Sequence, residues 1–360
     1  MRIPLSRLDR QLIARPRFDR PESVVSWFGA MQAQDHLAAL WAVGVRTPGA
    51  TEASVAAALA GGRLVRTHLF RGTWQLVTRG DASWMLELVG PRVIASWRPR
   101  LRSLELDDRT LGRCAALLTR ALEGSDSLTR AELAAALARG GIRAAGNRLA
   151  HILGHAELSG VICCDGRRGR QPTWTLLDGA GRPGPRQRDE ALAELARRYV
   201  RSRGPATVSD FAWWTGLPAG EARAALELIR HELAWETVGA VTYWVVAEDD
   251  RLARSRRAVL LPAFDEYLVG YRDRSAVLPA EHAGQVNAGG GMLSPAVVVS
   301  GRVVGTWQRQ IKRGRVEVAL RPFRPLPPPA LRAVSAAAAR YGAFLGVPAV
   351  TVGTPLRVRP

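Results

Sequence analysis

The spacing of apolar residues near the start of the chain predicts two helices with a polar junction between them. Apolar positions recur at helical spacing from Glu22 to Met31, and Pro21 suits a first helical turn. A second helix is predicted over HLAALWAV, with Asp35 as its N-cap. The residues from Gln32 to Gln34 are therefore expected to lie where the two helices meet.

A basic β-hairpin is predicted after a further helix. Strands are expected at Leu64 to Leu69 and at Trp74 to Val77, with Arg71-Gly72 at the turn. A hairpin that follows a helix pair is typical of a wing. Its basic residues could contact phosphate or a damaged base, or they could form a solvated face with the histidine packed; they are Arg66, His68 and Arg71.

Residues 125 to 180 show the clearest order of helix, turn, helix and hairpin. Thr129 is predicted to cap the first helix, with Glu132 at the capping-box position and Gly140-Gly141 at the helix end. A second helix is predicted from Asn147 to Leu158, and two strands are predicted around the turn from Gly166 to Arg170. This is the winged-helix order, in which the second helix occupies the recognition position.

The predicted recognition helix and its hairpin carry residues suited to DNA. Those near the helix start are Arg143, Asn147 and Arg148, and those of the hairpin turn are Arg167, Arg168 and Arg170. His151 and His155 lie four residues apart and could form half of a metal site, but no partner ligands are evident. We predict no metal and no cofactor.

The same order of elements recurs over residues 189 to 249. Three helices and two strands are predicted, with Ser209 as an N-cap. Trp213 and Trp214 lie in an apolar helix, so we expect them in the core rather than as platforms for base stacking. Recurrence at a spacing of about 60 residues favours tandem winged helices.

Residues 255 to 360 are rich in short apolar runs separated by Gly and Pro, with one late helix, and predict a β-barrel-like or sheet module. Asp265 and Glu266 are adjacent acids among these runs. One of them could be a catalytic carboxylate. The preferred interpretation is an ion-paired set neutralised by Arg272 or Arg274.

Composition and charge indicate a globular protein with a polyanionic partner. The chain has 47% hydrophobic residues and a net charge of +19, and Lys312 is the single lysine among 51 basic residues. Arginine forks suit phosphate and guanine edges. With no long apolar run and no secretory segment, we expect a cytoplasmic, nucleoid-associated protein without a membrane partner. The three cysteines fit a reducing compartment.

Gln32 and Gln34 are the candidate chemical groups of the helix junction. Neither side chain ionises, so they could position a water or stabilise charge but could not transfer a proton as a carboxylate does. On a helix their side chains would point roughly 200° apart, so a shared site requires an extended or irregular backbone. The alternative is that both amides only satisfy backbone groups at the junction.

Four motifs together resemble the winged-helix DNA glycosylases of the AlkZ and YcaQ type. They are GAMQAQD, RTHLFRGTWQLV, LLPAFDEYLVGYRDR and VVVSGRVVGTW, and the resemblance covers essentially the whole chain. It implies an α+β, C-shaped protein of three tandem winged-helix modules and a β-barrel. The corresponding modules here are residues 1–123, 124–182, 183–252 and 253–360.

The resemblance also implies an activity. The family cleaves the N-glycosidic bond of alkylated purines, notably bulky N7-alkylguanine adducts and interstrand crosslinks, in DNA repair or self-resistance. The AlkZ branch of the family has a Gln-apolar-Gln motif, which falls here on Gln32, Ala33 and Gln34. The YcaQ branch has Asp at the second glutamine position, so Gln34 indicates the AlkZ branch. Gln75 stands where the family pattern has a histidine, which puts any role of a hairpin histidine in question. We expect a monomer that acts on double-stranded DNA containing alkylated purines.

Two other functions are compatible with winged helices and a basic chain. A transcriptional regulator would bind one DNA site in preference to random sequence and would need neither glutamine for activity. An RNA-binding module would prefer RNA to duplex DNA. Both regulator and glycosylase would bind DNA in a salt-sensitive way, so affinity alone does not separate them.

Overall fold

The computed structural model describes residues 2–177, 186–247, 257–289 and 291–352. The chain forms two compact units, one comprising Met1–Val55 with Leu195–Pro360 and the other Ala56–Glu194. Both contain helices and strands, which confirms the mixed α+β class. The predicted module boundaries at residues 182 and 252 lie outside the described residues, and the division into four modules stays a prediction.

The first unit begins with short elements around the glutamine pair. Pro21 occupies the first turn of its helix, as predicted, and Asp35 caps the helix that follows. The elements are α1 (Ile3–Arg10), α2 (Pro21–Phe28), β1 (Met31–Gln32) and α3 (His36–Gly44).

The second unit contains the two predicted hairpins. Its strands run in the order β3-β2-β5-β6-β4, and the two hairpins are joined where Arg66 pairs with Cys164. Thr129 and Glu132 form the predicted capping box. The elements that follow α3 are α4 (Glu52–Ala60), β2 (Leu64–His68), β3 (Trp74–Thr78), α5 (Arg79–Ser103), α6 (Asp108–Glu123), β4 (Leu128–Thr129), α7 (Arg130–Arg139), α8 (Gly146–Leu158), β5 (Ile162–Arg168) and β6 (Gln171–Leu176).

The chain then continues through three helices and a hairpin. Thr207, and not Ser209, caps α10, because Thr207 and Asp210 bond each other's backbone N–H groups in a capping box. Trp214 is in the core as predicted, whereas Trp213 is 40% exposed. The elements are α9 (Arg188–Arg203), α10 (Val208–Thr215), α11 (Ala219–Leu228), β7 (Leu233–Val238) and β8 (Val241–Val246).

The remainder of the first unit is a sheet covered by one long helix. The strand order is β13-β12-β11-β10-β9, and β13 does not pair with β9 in the described residues, so the sheet is open and the predicted barrel is not closed. Tyr341 of the long helix packs edge-on against Trp307. The elements are β9 (Ala258–Leu261), α12 (Glu266–Val269), α13 (Ala283–Val286), β10 (Ala296–Val299), β11 (Arg302–Lys312), β12 (Arg315–Pro322), α14 (Pro328–Leu345) and β13 (Ala349–Val352).

No helix within the described ranges combines the length and the apolar character that crossing a bilayer requires.

Close helix packing in the second unit predicts the effect of one glycine substitution. A Cβ added at Gly90 of α5 would lie 2.4 Å from the Leu158 carbonyl oxygen of α8. We expect Gly90→Ala to destabilise the protein by about 1–3 kcal/mol, since the overlap outweighs the better helix propensity of alanine. Gly112→Ala on α6, where a Cβ has open space, should instead stabilise it by about 1 kcal/mol. Urea denaturation followed by circular dichroism measures both, and a stabilised Gly90→Ala would contradict the packing argument.

Candidate active site and nucleic-acid interface

The glutamine pair lies on an extended and irregular segment between two helices, as the spacing requires. Helix α2 ends at Phe28 rather than at the predicted Met31, because Gly29 adopts a φ of 77° and turns the chain away from the helix. Strand β1 covers Met31–Gln32, and α3 starts at His36. The Asp35 carboxylate accepts the Ala38 N–H at 3.0 Å and fixes the start of α3.

The two glutamines have different surroundings. Gln32 is only 7% exposed, and its side-chain oxygen accepts the Ala33 N–H at 3.0 Å. Gln34 is exposed. The segment therefore combines one amide held against the protein with one that reaches solvent.

A buried ion pair supports the backbone of this segment. One oxygen of Glu266 accepts the Gln32 N–H at 2.7 Å. Its other oxygen accepts from Arg203 at 2.9 and 2.6 Å. Arg203 also donates to the carbonyls of Phe28 and Ala30, at 3.0 and 2.8 Å. The pair thus bonds three backbone groups of the segment from Phe28 to Gln32.

The neighbouring acid makes a second buried ion pair. Both oxygens of Asp265 accept from Arg46 at 2.8 Å, and both side chains are completely buried. The predicted partners Arg272 and Arg274 were wrong: the backbone N–H of Arg272 donates to Asp210, and Arg274 donates to the Leu268 carbonyl. Neutralisation by arginine was correct. Arg46 and Arg203, which the sequence analysis missed, carry no local signal because they lie far from these acids along the chain.

The backbone before these acids is strained. Phe264 has a φ of 58°, which an L residue with a bulky side chain rarely adopts. Such a conformation persists only where the surrounding contacts determine it. Here those contacts are the two ion pairs that follow directly in the chain.

The second unit holds the basic hairpin residues. His68 Nδ1 lies 2.5 Å from the buried Glu157 carboxylate, which also accepts the Trp174 indole N–H at 2.6 Å. Arg66 stacks over Trp74 at 3.7 Å, and burial lowers the pKa of its guanidinium. His68 is thus packed, as the alternative interpretation held, and contact of Arg66, His68 and Arg71 with DNA stays a prediction.

Arg71 and Gln75 complete this hairpin. Arg71 lies in its turn with a φ of 56°. Gln75 is buried, and its amide donates to the Thr73 hydroxyl at 3.0 Å, so it occupies a structural position in the hairpin.

Near the start of α8, some of the predicted DNA-binding side chains are exposed and others are hydrogen-bonded to the protein backbone. Arg143 and Asn147 are exposed. Arg148 donates to the backbone carbonyls of Arg143 and Leu104. His151 Nδ1 lies 2.8 Å from the Asn147 carbonyl, and burial lowers the pKa of His155.

The turn between β5 and β6 carries the three remaining predicted DNA-binding arginines. Arg167 and Arg170 are exposed, and Arg167 donates to the Arg170 carbonyl. Arg168 pairs with Glu132 at 2.8 Å and donates to the Ser127 carbonyl at 3.0 Å. Arg168 therefore holds the turn against α7 through these two contacts.

Comparison with known proteins identifies relatives across most of the chain. Residues 25–344 match the family described as DNA glycosylase AlkZ-like. An interstrand DNA cross-link repair glycosylase of Streptomyces sahachiroi is 29% identical over 324 residues, which cover 84% of this chain and 85% of that protein. The solved structure of the Streptomyces sahachiroi DNA glycosylase AlkZ matches with a TM-score of 0.80 and 27% identity, covering 98% of both chains.

Removal of the charge of Glu266 should destabilise the protein, because Glu266 is paired with the buried Arg203. Glu266→Gln keeps the side-chain shape but leaves a buried guanidinium without its counter-charge, which we expect to cost about 3–5 kcal/mol. Urea denaturation measures the change. The matched control is Glu227→Gln, which removes an exposed pair with Arg230 and should change stability by less than about 1 kcal/mol. Equal effects of the two substitutions would show that the buried pair does not hold the segment.

Proposed function

The chain belongs to the AlkZ-like family of DNA glycosylases, and from that premise we propose that it hydrolyses the N-glycosidic bond of N7-alkylated purines in duplex DNA. Bulky adducts and interstrand crosslinks are included among the proposed substrates. The name of the Streptomyces sahachiroi relative, a cross-link repair glycosylase, supports their inclusion. The observation that carries the proposal is the Gln-x-Gln segment itself, with Gln32 fixed by Glu266 and Gln34 exposed.

The chemistry suits two amides because the leaving group is already activated. Alkylation at N7 makes the purine cationic, so the bond from C1′ to N9 breaks with its electron pair passing into the ring, and no proton need be delivered. The sugar becomes oxocarbenium-like. In our proposal Gln34 holds the water that adds to C1′, whose proton passes to solvent, and Gln32 orients the deoxyribose. Asp265 and Glu266 are both engaged by buried arginines, and the proposed reaction assigns them no acid–base role.

DNA binding in this proposal uses the net charge of +19 and the exposed side chains near the start of α8. We propose that Arg143 and Asn147, which are exposed, contact DNA, and that Arg148 and Arg168 position the protein backbone through their bonds to its carbonyls. We further propose that the enzyme acts as a monomer, that it is built from three winged-helix modules, and that it works beside the nucleoid.

Loss of either amide should slow catalysis strongly, with little effect on DNA binding. We expect Gln34→Ala and Gln32→Ala to lower single-turnover excision of N7-methylguanine from a duplex oligonucleotide by about 10²-fold or more, as for removal of one transition-state hydrogen-bond donor. Abasic sites are read by alkaline cleavage. Gln285→Ala, the same change at an exposed position of α13, is the control.

A glycosylase and a transcriptional regulator would give opposite results in this experiment. Wild-type excision at the spontaneous rate over small and bulky adducts, with DNA binding intact, would contradict the proposed reaction. Excision at the wild-type rate in both variants would support the proposed reaction but would show that the two glutamines have only a structural role.

Phosphate contact by Arg143 is tested by salt dependence. Arg143→Ala should reduce the slope of log K against log salt by about 0.9, the release of one phosphate's counterions. Fluorescence anisotropy at several salt concentrations provides the slopes. Arg332→Ala, at an exposed position of α14, is the control, and an equal change there would show that the slope reports net charge rather than a contact.

A further inference from the structure

A small cavity adjoins the glutamine segment within the first unit. Its volume is about 100 Å³, and one face of α3 forms a wall through Asp35, Ala38 and Trp41. Ala263, Trp307 and Arg309 also line the cavity. The cavity thus begins at the residue that follows Gln34.

Two indole rings give this cavity apolar walls. The indole N–H of Trp41 donates to the Leu260 carbonyl and that of Trp307 to the Leu261 carbonyl, both at 2.7 Å. Both rings are almost fully buried, so they offer carbon surface to the cavity rather than hydrogen-bond donors.

The two charged lining residues have partners of their own. Asp35 is exposed and caps α3 through the Ala38 N–H. Arg309 donates to the Tyr341 hydroxyl. These contacts engage part of each charged group, and the apolar walls lie beside them.

The cavity and the glutamine segment share one supporting loop. Ala263 is followed by the strained Phe264 and then by Asp265 and Glu266, the last of which holds the Gln32 N–H at 2.7 Å. A group seated against Ala263 and Ala38 would therefore lie between the two chain segments that fix the glutamines.

The size of the cavity restricts its occupant. Pockets that enclose drug-sized ligands measure roughly 300–1,000 Å³. An apolar cavity of about 150 Å³ accommodates benzene. A volume of about 100 Å³ is consequently too small for a purine base and suits an alkyl chain of a few carbons or the edge of one aromatic ring.

We propose that this cavity binds the apolar substituent on the alkylated base, and that the enzyme thereby favours lesions with such a substituent. The inference rests on the proposed glycosylase function and adds a substrate class to it. The base itself stays outside the cavity, and its substituent fixes the position of C1′ relative to Gln32 and Gln34.

The test compares two lesions in enzymes with an open or a filled cavity. Duplex oligonucleotides carry either N7-methylguanine or N7-benzylguanine, and kcat/KM for excision is measured for wild type, Ala38→Leu and Ala263→Leu. Wild type should prefer the benzyl lesion. Each filling substitution should lower kcat/KM for that lesion by about tenfold or more, as for misfit in a hydrophobic pocket, and leave the methyl lesion unchanged. Ala336→Leu, the same substitution at an exposed position of α14, should alter neither rate.

The outcomes separate this inference from the proposed function. No excision of either lesion by wild type would refute both. Excision of both lesions with equal loss in the filled variants would refute only the inference, because filling would then act by disturbing the glutamines; excision unaffected by filling would refute it as well. Ala263 is half-exposed, so Ala263→Leu provides the result if Ala38→Leu fails to fold by circular dichroism.

Discussion

The position of the candidate site depends on the buried ion pair between Arg203 and Glu266. Burial of a guanidinium and a carboxylate is costly unless every donor and acceptor finds a partner. Arg203 meets this condition: its five N–H groups make bonds to Glu266, to the carbonyls of Phe28 and Ala30, and to the Ser202 hydroxyl. A shift of the glutamine segment would break several of these bonds together. The pair therefore fixes where Gln32 lies more than it adds net stability.

Arg46 repeats the arrangement for Asp265. Its five N–H groups bond both Asp265 oxygens, the Ala42 carbonyl and two oxygens of Gln11. The Gln11 amide in turn donates to the Glu266 carbonyl and the Tyr271 hydroxyl, so the two ion pairs belong to one network. Adjacent acids in an apolar context resemble a catalytic pair, yet here each carboxylate accepts three hydrogen bonds. The two ion pairs support the segment that carries the glutamines, and the proposed chemistry is assigned to neutral amides.

Local sequence signals predicted the local structure well. Asp35 and Thr129 cap helices where their side chains can reach a free N–H, and the hairpin at residues 64 to 78 follows from alternation and its turn. The N-cap of α10 was misplaced because Thr207 and Ser209 are both suitable residues, and only the reciprocal bond to Asp210 distinguishes them. Trp213 was placed in the core from the composition of its helix, which does not specify which side faces solvent.

The ion-pair partners of Asp265 and Glu266 could not be predicted from the sequence. Asp265 and Glu266 were expected to pair with nearby arginines, but the partners lie 219 and 63 residues away. In a chain with so many arginines, any acid has many possible partners, and only the fold selects one. The Gln-x-Gln motif can be recognised in the sequence because it is local, and its role in catalysis stays a prediction. The hydrogen bonds that support this segment come from Glu266 and Arg203, which are distant in the sequence.

The contrast between Gln32 and Gln34 has a physical basis in the reaction proposed for them. A cationic leaving group removes the need for a proton donor, so the remaining work is to place a water and the sugar within reach of each other. Such placement is effective only if the groups that perform it do not reorganise during the reaction. A backbone bonded through Glu266 to Arg203 supplies that rigidity beneath Gln32. Exposure at Gln34, two residues later, supplies access to solvent water. An ionised side chain in place of either amide would bring its own desolvation cost beside a polyanionic substrate, and two neutral amides avoid that cost.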